Sequence, residues 1–307
     1  MMTLATVAGR LWAVDARLYE HIRAVLEVEG FAGLRHLAEL RRMAYQQDGP
    51  QAAAPRPSGA SGVYVIPIVG LMTQRGDQVE SAFTFSTAAL VAELRAAAAN
   101  QAVGSIVLEV DSPGGDVYGI AEAAQAIREV RAQKPVIAVA NSLAASAGYW
   151  LASQANELLV TPSGEVGSIG VYAAHVDVSG EMAQRGRKVS YVYAGKYKIE
   201  GNPVEPLQEE ARAEMQRSVD RYYGLFVTDV AKGRSSGDRR IGVDQVRDEF
   251  GEGRVVGARR AVELQMADDV GTLDDAIRRA GSLSAQRRRE MAALAAVQAA
   301  QFVRERS

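Results

Sequence analysis

Three short stretches carry residue types that could do chemistry. In Asn141–Trp150 (NSLAASAGYW), Ser146 sits among alanines and a glycine, where an apolar strand (VIAVA) gives way to a helix. A serine at a helix start is by default an N-cap. The same place also sets its hydroxyl in the positive field of the helix, which suits a nucleophile, and the small neighbours let a polypeptide backbone approach. The stretch Asp111–Asp116 (DSPGGD) follows the strand SIVLEV. A Pro-Gly-Gly turn there exposes backbone N–H groups, at the strand end where α/β sheets bind ligands, although alone it is more often simply a tight turn. No G-x-x-x-x-G-K-[ST] follows, which argues against a phosphate loop. The third stretch, Ala194–Pro203 (AGKYKIEGNP), holds Lys196 and Lys198, two of only five lysines in the chain. A serine nucleophile needs a base, and near neutral pH a lysine serves only when burial favours its neutral form. His175 is the alternative base; the other two histidines are His21 and His36.

The surrounding sequence predicts elements that could hold these residues. Strands are expected at 63–69, 105–110, 136–140, 157–160, 171–178 and 189–193, with helices at 87–99, 120–132, 144–154 and 205–232. Helices between apolar strands imply crossover connections and a largely parallel sheet with helices on its faces. Residues 4–47 read as helical, because Leu11, Val14, Leu18, Ile22, Val25 and Leu26 recur at three- and four-residue intervals. Residues 48–62 (DGPQAAAPRPSGASG) read as a flexible linker. Residues 286–306 read as a basic helix, opened by Arg287, Arg288 and Arg289.

Composition narrows the possible functions. The chain has 307 residues, 48% hydrophobic and 23% charged, which suits one or two globular domains. Its net charge of −2 gives no reason to expect nucleic acid as a partner. With no cysteine, thiol catalysis and cysteine-ligated metals are excluded. No stretch approaches the roughly 20 apolar residues of a membrane span, and the first residues lack the pattern of a signal peptide, so the expected compartment is the cytoplasm.

The ordered motifs DSPGG, NSLAASAGYW, PSGEVGSIGV and GKYK, followed by a closing segment GRVVGARRAVELQMADDVGTLDDAI, resemble the signal peptide peptidase A family of Ser-Lys peptidases. The likeness runs from about Val63 to Ala280. It implies the α/β fold shared by Clp protease and the crotonases: a parallel-sheet core with flanking helices, here with a helical N-terminal arm and a helical C-terminal tail. Carried over by position, Ser146 matches the nucleophile and Lys198, after the tyrosine of GKYK, the general base, with Lys196 as the runner-up. Ser168 in VGSIGV matches the hydroxyl that orients the lysine amine. Gly114, with Gly115 beside it, and Ala147 match the backbone donors of the oxyanion hole. Clp protease has its catalytic histidine near the place of Ser168, so a serine there favours lysine as the base.

The expectation is therefore a serine endopeptidase with a Ser146–Lys198 dyad and no metal or cofactor, acting on a protein or peptide substrate and assembling as a homo-oligomeric ring. Its parts are an arm (1–47), a linker (48–62), a peptidase domain (63–280) and a basic tail (281–307). An arm and tail without a membrane anchor resemble phage and prophage members that process scaffold or capsid proteins, which adds the prohead interior as a place of action. The alternatives are an unanchored bacterial relative, a crotonase-fold acyl-CoA enzyme and a non-catalytic assembly protein.

Overall fold

The computed structural model describes residues 11–14, 62–75 and 84–304. Its centre is a seven-stranded sheet. Strands β2 (Val63–Val69), β5 (Ser105–Ser112), β7 (Val136–Ala145) and β9 (Glu165–Gly167) lie side by side and parallel. Strand β8 (Glu157–Val160) pairs parallel with β7 and with β12 (Asp269–Val270), while β11 (Val255–Gly257) closes the β9 edge antiparallel. Period-two alternation sorts the central side chains. Ile106, Leu108, Val110, Ala138 and Ala140 face one layer, and Val107, Ile137 and Val139 the other. The first layer is covered by helices α1 (Thr87–Ala99), α2 (Ile120–Arg131), α3 (Ala147–Ala152) and the C-terminal half of α5 (Glu209–Arg234). Helices α4 (Ser179–Gln184), α6 (Val243–Glu249) and α7 (Ala258–Glu263) are short. The second layer is covered by α8 (Leu273–Arg304), through Ala276, Ile277, Ala280 and Leu283. This is a mixed α/β fold with a parallel core flanked by helices, as the sequence implied.

A second sheet has the order β10 (Tyr172–Ala173), β1 (Leu11–Val14), β6 (Gly114–Asp116), β3 (Leu71–Thr73) and β4 (Thr84–Ser86). Leu11–Val14, which the apolar periodicity placed in a helix, is thus a strand: pairing on both sides overrides a weak local preference. The other residues of the expected arm, and residues 48–61 of the expected linker, lie outside the described residues.

Further parts of the chain differ from the sequence reading. Strand β7 runs on to Ala145, where a helix was expected from 144, because Leu143–Ala145 pair with β9 and Ala144 with Ser112. Of the strand expected at 171–178 only Tyr172 and Ala173 pair, and 189–193 forms no strand and is exposed. The boundary drawn at 280/281 falls inside α8, whose packing continues past it: Ser284 is buried, and Arg287 donates to the Ala132 carbonyl at 2.8 Å.

One buried ionic cluster ties the end of α5 to β8 and β12. Arg234, fully buried, donates to Asp268 at 2.9 Å, Arg239 does so at 2.6 Å, and the Leu158 N–H at 2.7 Å. Burial pushes the Asp268 pKa up, but these hydrogen bonds and the Arg234 charge outweigh it and hold the carboxyl at about 2.

Candidate active site

Ser146 lies between the end of β7 and the start of α3, with φ 52° and ψ −119°. This backbone region belongs to glycine, and holding a serine there costs on the order of 1–3 kcal/mol. Neighbouring bonds fix it. The Ser146 N–H donates to the Gly167 carbonyl at 2.7 Å, and the Ser146 carbonyl accepts from the Trp150 N–H at 2.9 Å. The side chains that follow anchor the turn from below. Tyr149, fully buried, donates its hydroxyl to the Met266 carbonyl at 2.9 Å, and burial raises its pKa. Trp150 stacks on Phe226 at 4.5 Å between ring centroids and donates Nε1 to Asp229, which Arg128 pairs at 3.2 Å.

The Ser146 hydroxyl is almost wholly buried, and its Oγ has no hydrogen-bond partner among the described residues. A buried hydroxyl without a partner costs free energy, and such costs are tolerated mainly where function uses the group. It is no N-cap, since it makes no capping bond to α3.

The Pro-Gly-Gly turn lies against this serine turn. A Cβ on Gly148 would stand 2.9 Å from the Ser112 carbonyl oxygen, so only glycine allows α3 to come this close. Gly114 has φ 104°, and a Cβ on Gly115 would fall 2.0 Å from the Met72 carbonyl oxygen. Ser112, fully buried, organises the turn: its Oγ donates to the Gly70 carbonyl at 2.7 Å and accepts from the Gly114 N–H at 3.1 Å. The Gly114 donor is thus engaged inside its own turn. Ala147 opens α3, where the first N–H groups have no acceptor within the helix.

The remaining candidates are distributed differently. Ser168 follows the Gly167 that holds the nucleophile; it has φ 53°, and its N–H donates to the Arg254 carbonyl at 2.8 Å. Lys198 is exposed, in a turn closed by its N–H to the Gly195 carbonyl, and does not reach the Ser146 hydroxyl within this chain. Lys196 binds the Tyr197 hydroxyl at 2.8 Å and Glu210 at 3.2 Å, and those bonds hold its ammonium above the ordinary lysine value. His175 Nε2 lies 3.0 Å from the Asn202 carbonyl oxygen. Sequence reasoning missed Ser112, Gly148 and Gly167. Gly148 stood inside the quoted motif, but only the packing reveals what its missing Cβ permits.

No helix among the described residues is long and apolar enough to cross a membrane. The head-tail preconnector protein GP5 of Enterobacteria phage P21 is 34% identical over 241 residues, which are 76% of this chain and 46% of that protein. The capsid assembly protease C of Escherichia phage lambda is 33% identical over 232 residues, 75% of this chain and 51% of that protein. This chain therefore spans about half the length of these relatives. The putative signal peptide peptidase SppA of Enterococcus faecium is 30% identical over 179 residues, 58% of this chain and 50% of that protein. Among solved structures, a ClpP1 variant of Listeria monocytogenes covers 69% of this chain and 94% of its own at 13% identity and TM-score 0.40, too distant to argue from. The description "Peptidase family S49" matches residues 128–287, more than half of the chain and including the serine turn, and the chain belongs to that family.

Proposed function

We propose that the chain is a serine endopeptidase that cuts phage scaffold or capsid proteins, with Ser146 as nucleophile and Lys198 as general base. The observation that carries this reading is the buried Ser146 hydroxyl, held on a strained turn with no partner and facing a glycine turn. The neutral Lys198 amine takes the Ser146 proton as Oγ attacks the substrate carbonyl carbon. Backbone N–H groups at Gly114, Gly115 and Ala147 stabilise the oxyanion, Gly114 exchanging its bond to Ser112 for one to the substrate oxygen. Lys198 then protonates the leaving amine, and water hydrolyses the acyl-enzyme with Lys198 again as base. Ser168 orients the amine.

Lys198 is preferred over its rivals because Lys196 is held protonated by Glu210 and Tyr197, and His175 faces the Asn202 carbonyl. Its exposure in a single chain is answered by a homo-oligomer. Val189, Tyr191, Val192, Tyr193 and Tyr197 are exposed within ten residues of it in the chain, the kind of large apolar side chains that interfaces cover. A second copy that covers this segment desolvates Lys198 and brings it to the serine turn. Residues 1–47 and the end of α8 then serve assembly or recruitment, in the host cytoplasm or inside a prohead.

The test is labelling with a serine-reactive fluorophosphonate across a dilution series. Labelling at Ser146 that falls with dilution and vanishes in Ser146→Ala supports the proposal. Absence of labelling at every concentration overturns it.

A further inference from the structure

Strand β1 lies where a substrate strand would have to lie. Leu11–Val14 pairs antiparallel with β6 through Trp12 with Asp116, Ala13 with Gly115 and Val14 with Gly114. On its other side it pairs antiparallel with β10, through Leu11 with Ala173 and Trp12 with Tyr172. Neighbouring strands stand about 4.8 Å apart, so β6 and β10 flank a gap of about 10 Å, one strand wide. The direction is specific. The C-terminal end of β1, Val14, stands opposite Gly114, and the Gly114 turn packs on the serine turn through Ser112 and Gly148. A peptide whose carbonyl is attacked by Ser146 and held at Gly114 would bring the residues before that carbonyl along this same course.

We infer that Leu11–Val14 is an internal occupant of the gap between β6 and β10, paired through its main chain and competing there with an extended substrate. The inference rests on the assignment of Ser146 as nucleophile. Main-chain pairing explains why an internal segment can fill the site with no cleavage sequence of its own. The segment belongs to the same chain, so its pairing is an intramolecular event and competes even when weak. An occupant present ~90% of the time raises the apparent KM about tenfold and leaves kcat unchanged.

The test uses the full chain carrying Trp12→Pro and Ala13→Pro together. Successive N–H groups point to opposite edges of a strand, so the pair removes a donor toward each neighbour. The expected result is a KM for a peptide substrate lowered several-fold, with kcat and fluorophosphonate labelling unchanged. Unchanged KM with labelling retained overturns the inference. Loss of labelling in the parent chain overturns the nucleophile assignment instead. A second measurement needs no variant: saturating the parent with a peptidyl fluorophosphonate should expel the occupant and speed amide exchange at residues 12–14. Exchange there that does not change overturns the inference, whatever the variant does.

Discussion

The Ser146 N–H is bonded to the Gly167 carbonyl at 2.7 Å, so the nucleophile's backbone is held by the strand that leads directly into Ser168. The residue proposed to attack and the residue proposed to orient its base therefore move as one unit. A shift of β9 would displace both together.

Ser146→Ala and Ser146→Gly are expected to separate chemistry from strain. Both should lose hydrolysis by about 10³ or more, because a nucleophile and its base act as a unit. Glycine also relieves the positive φ that alanine retains, so Ser146→Gly should melt a few degrees above Ser146→Ala, about 1 kcal/mol at this chain length. Calorimetry of the two inactive variants checks this. Equal melting temperatures would mean the turn stores no strain.

Lys198→Ala should match the loss seen in Ser146→Ala, whereas Lys196→Ala and His175→Ala should each keep most activity. The measurement is kcat/KM on one peptide for all three variants. An inactive but folded His175→Ala would transfer the base to the histidine. Ser168→Ala should slow the reaction without ending it.

Two glycines should fail in different ways. Gly115→Ala sets a Cβ 2.0 Å from the Met72 carbonyl and must move backbone on both strands, costing about 1–3 kcal/mol or more, visible as a lowered melting temperature. Gly148→Ala meets the Ser112 carbonyl oxygen, also backbone, at 2.9 Å, so the serine turn must retreat from the glycine turn. It should lower the melting temperature less than Gly115→Ala does, while labelling of Ser146 slows.

Asp268 makes the fold acid-sensitive in a defined window. Its folded pKa of about 2 lies below the ordinary 3.8, so its contribution is complete above about pH 4 and is lost as pH falls toward 2. That contribution is on the order of 2 kcal/mol. Asp268→Asn should flatten this part of the stability–pH curve. It should also destabilise the protein near pH 7 by about 3–5 kcal/mol, because Arg234 is left buried beside a neutral partner. Guanidinium unfolding of both proteins between pH 2 and 7 checks both effects. A parent curve with no slope below pH 4 would show that the cluster does not act this way.

Much of the core could be read from apolar runs. The strand at 63–69 and the helix at 87–99 fall where the sequence puts them, because each buries a face that its own pattern defines. The turns at Gly114 and Ser146 stood out in the sequence as small residues clustered at two strand ends, and the structure packs those turns together. What could not be read depends on partners distant in sequence. Leu11–Val14 becomes a strand only because β6 and β10 lie beside it, and residues 189–193 find no strand neighbour despite their strand-like composition. Ser112 looked like part of a turn; that its hydroxyl bridges Gly70 and Gly114 follows from β2 lying parallel to β5.

Helix α8 begins against the sheet and continues past it without a break. Ala276, Ala280 and Ser284 lock its rotation against the core, and Met291, Leu294 and Val297 stand exposed further along the same rod. At 3.6 residues per turn those three span a stripe about 120° wide, and its compass bearing is dictated by the core. One alanine inserted after Arg288 should swing the stripe by about 100° while leaving the sheet untouched. Eleven, about three full turns, should return it to its bearing but carry it roughly 16 Å outward. Whatever docks on that stripe is thus aimed by the same packing that closes the peptidase core.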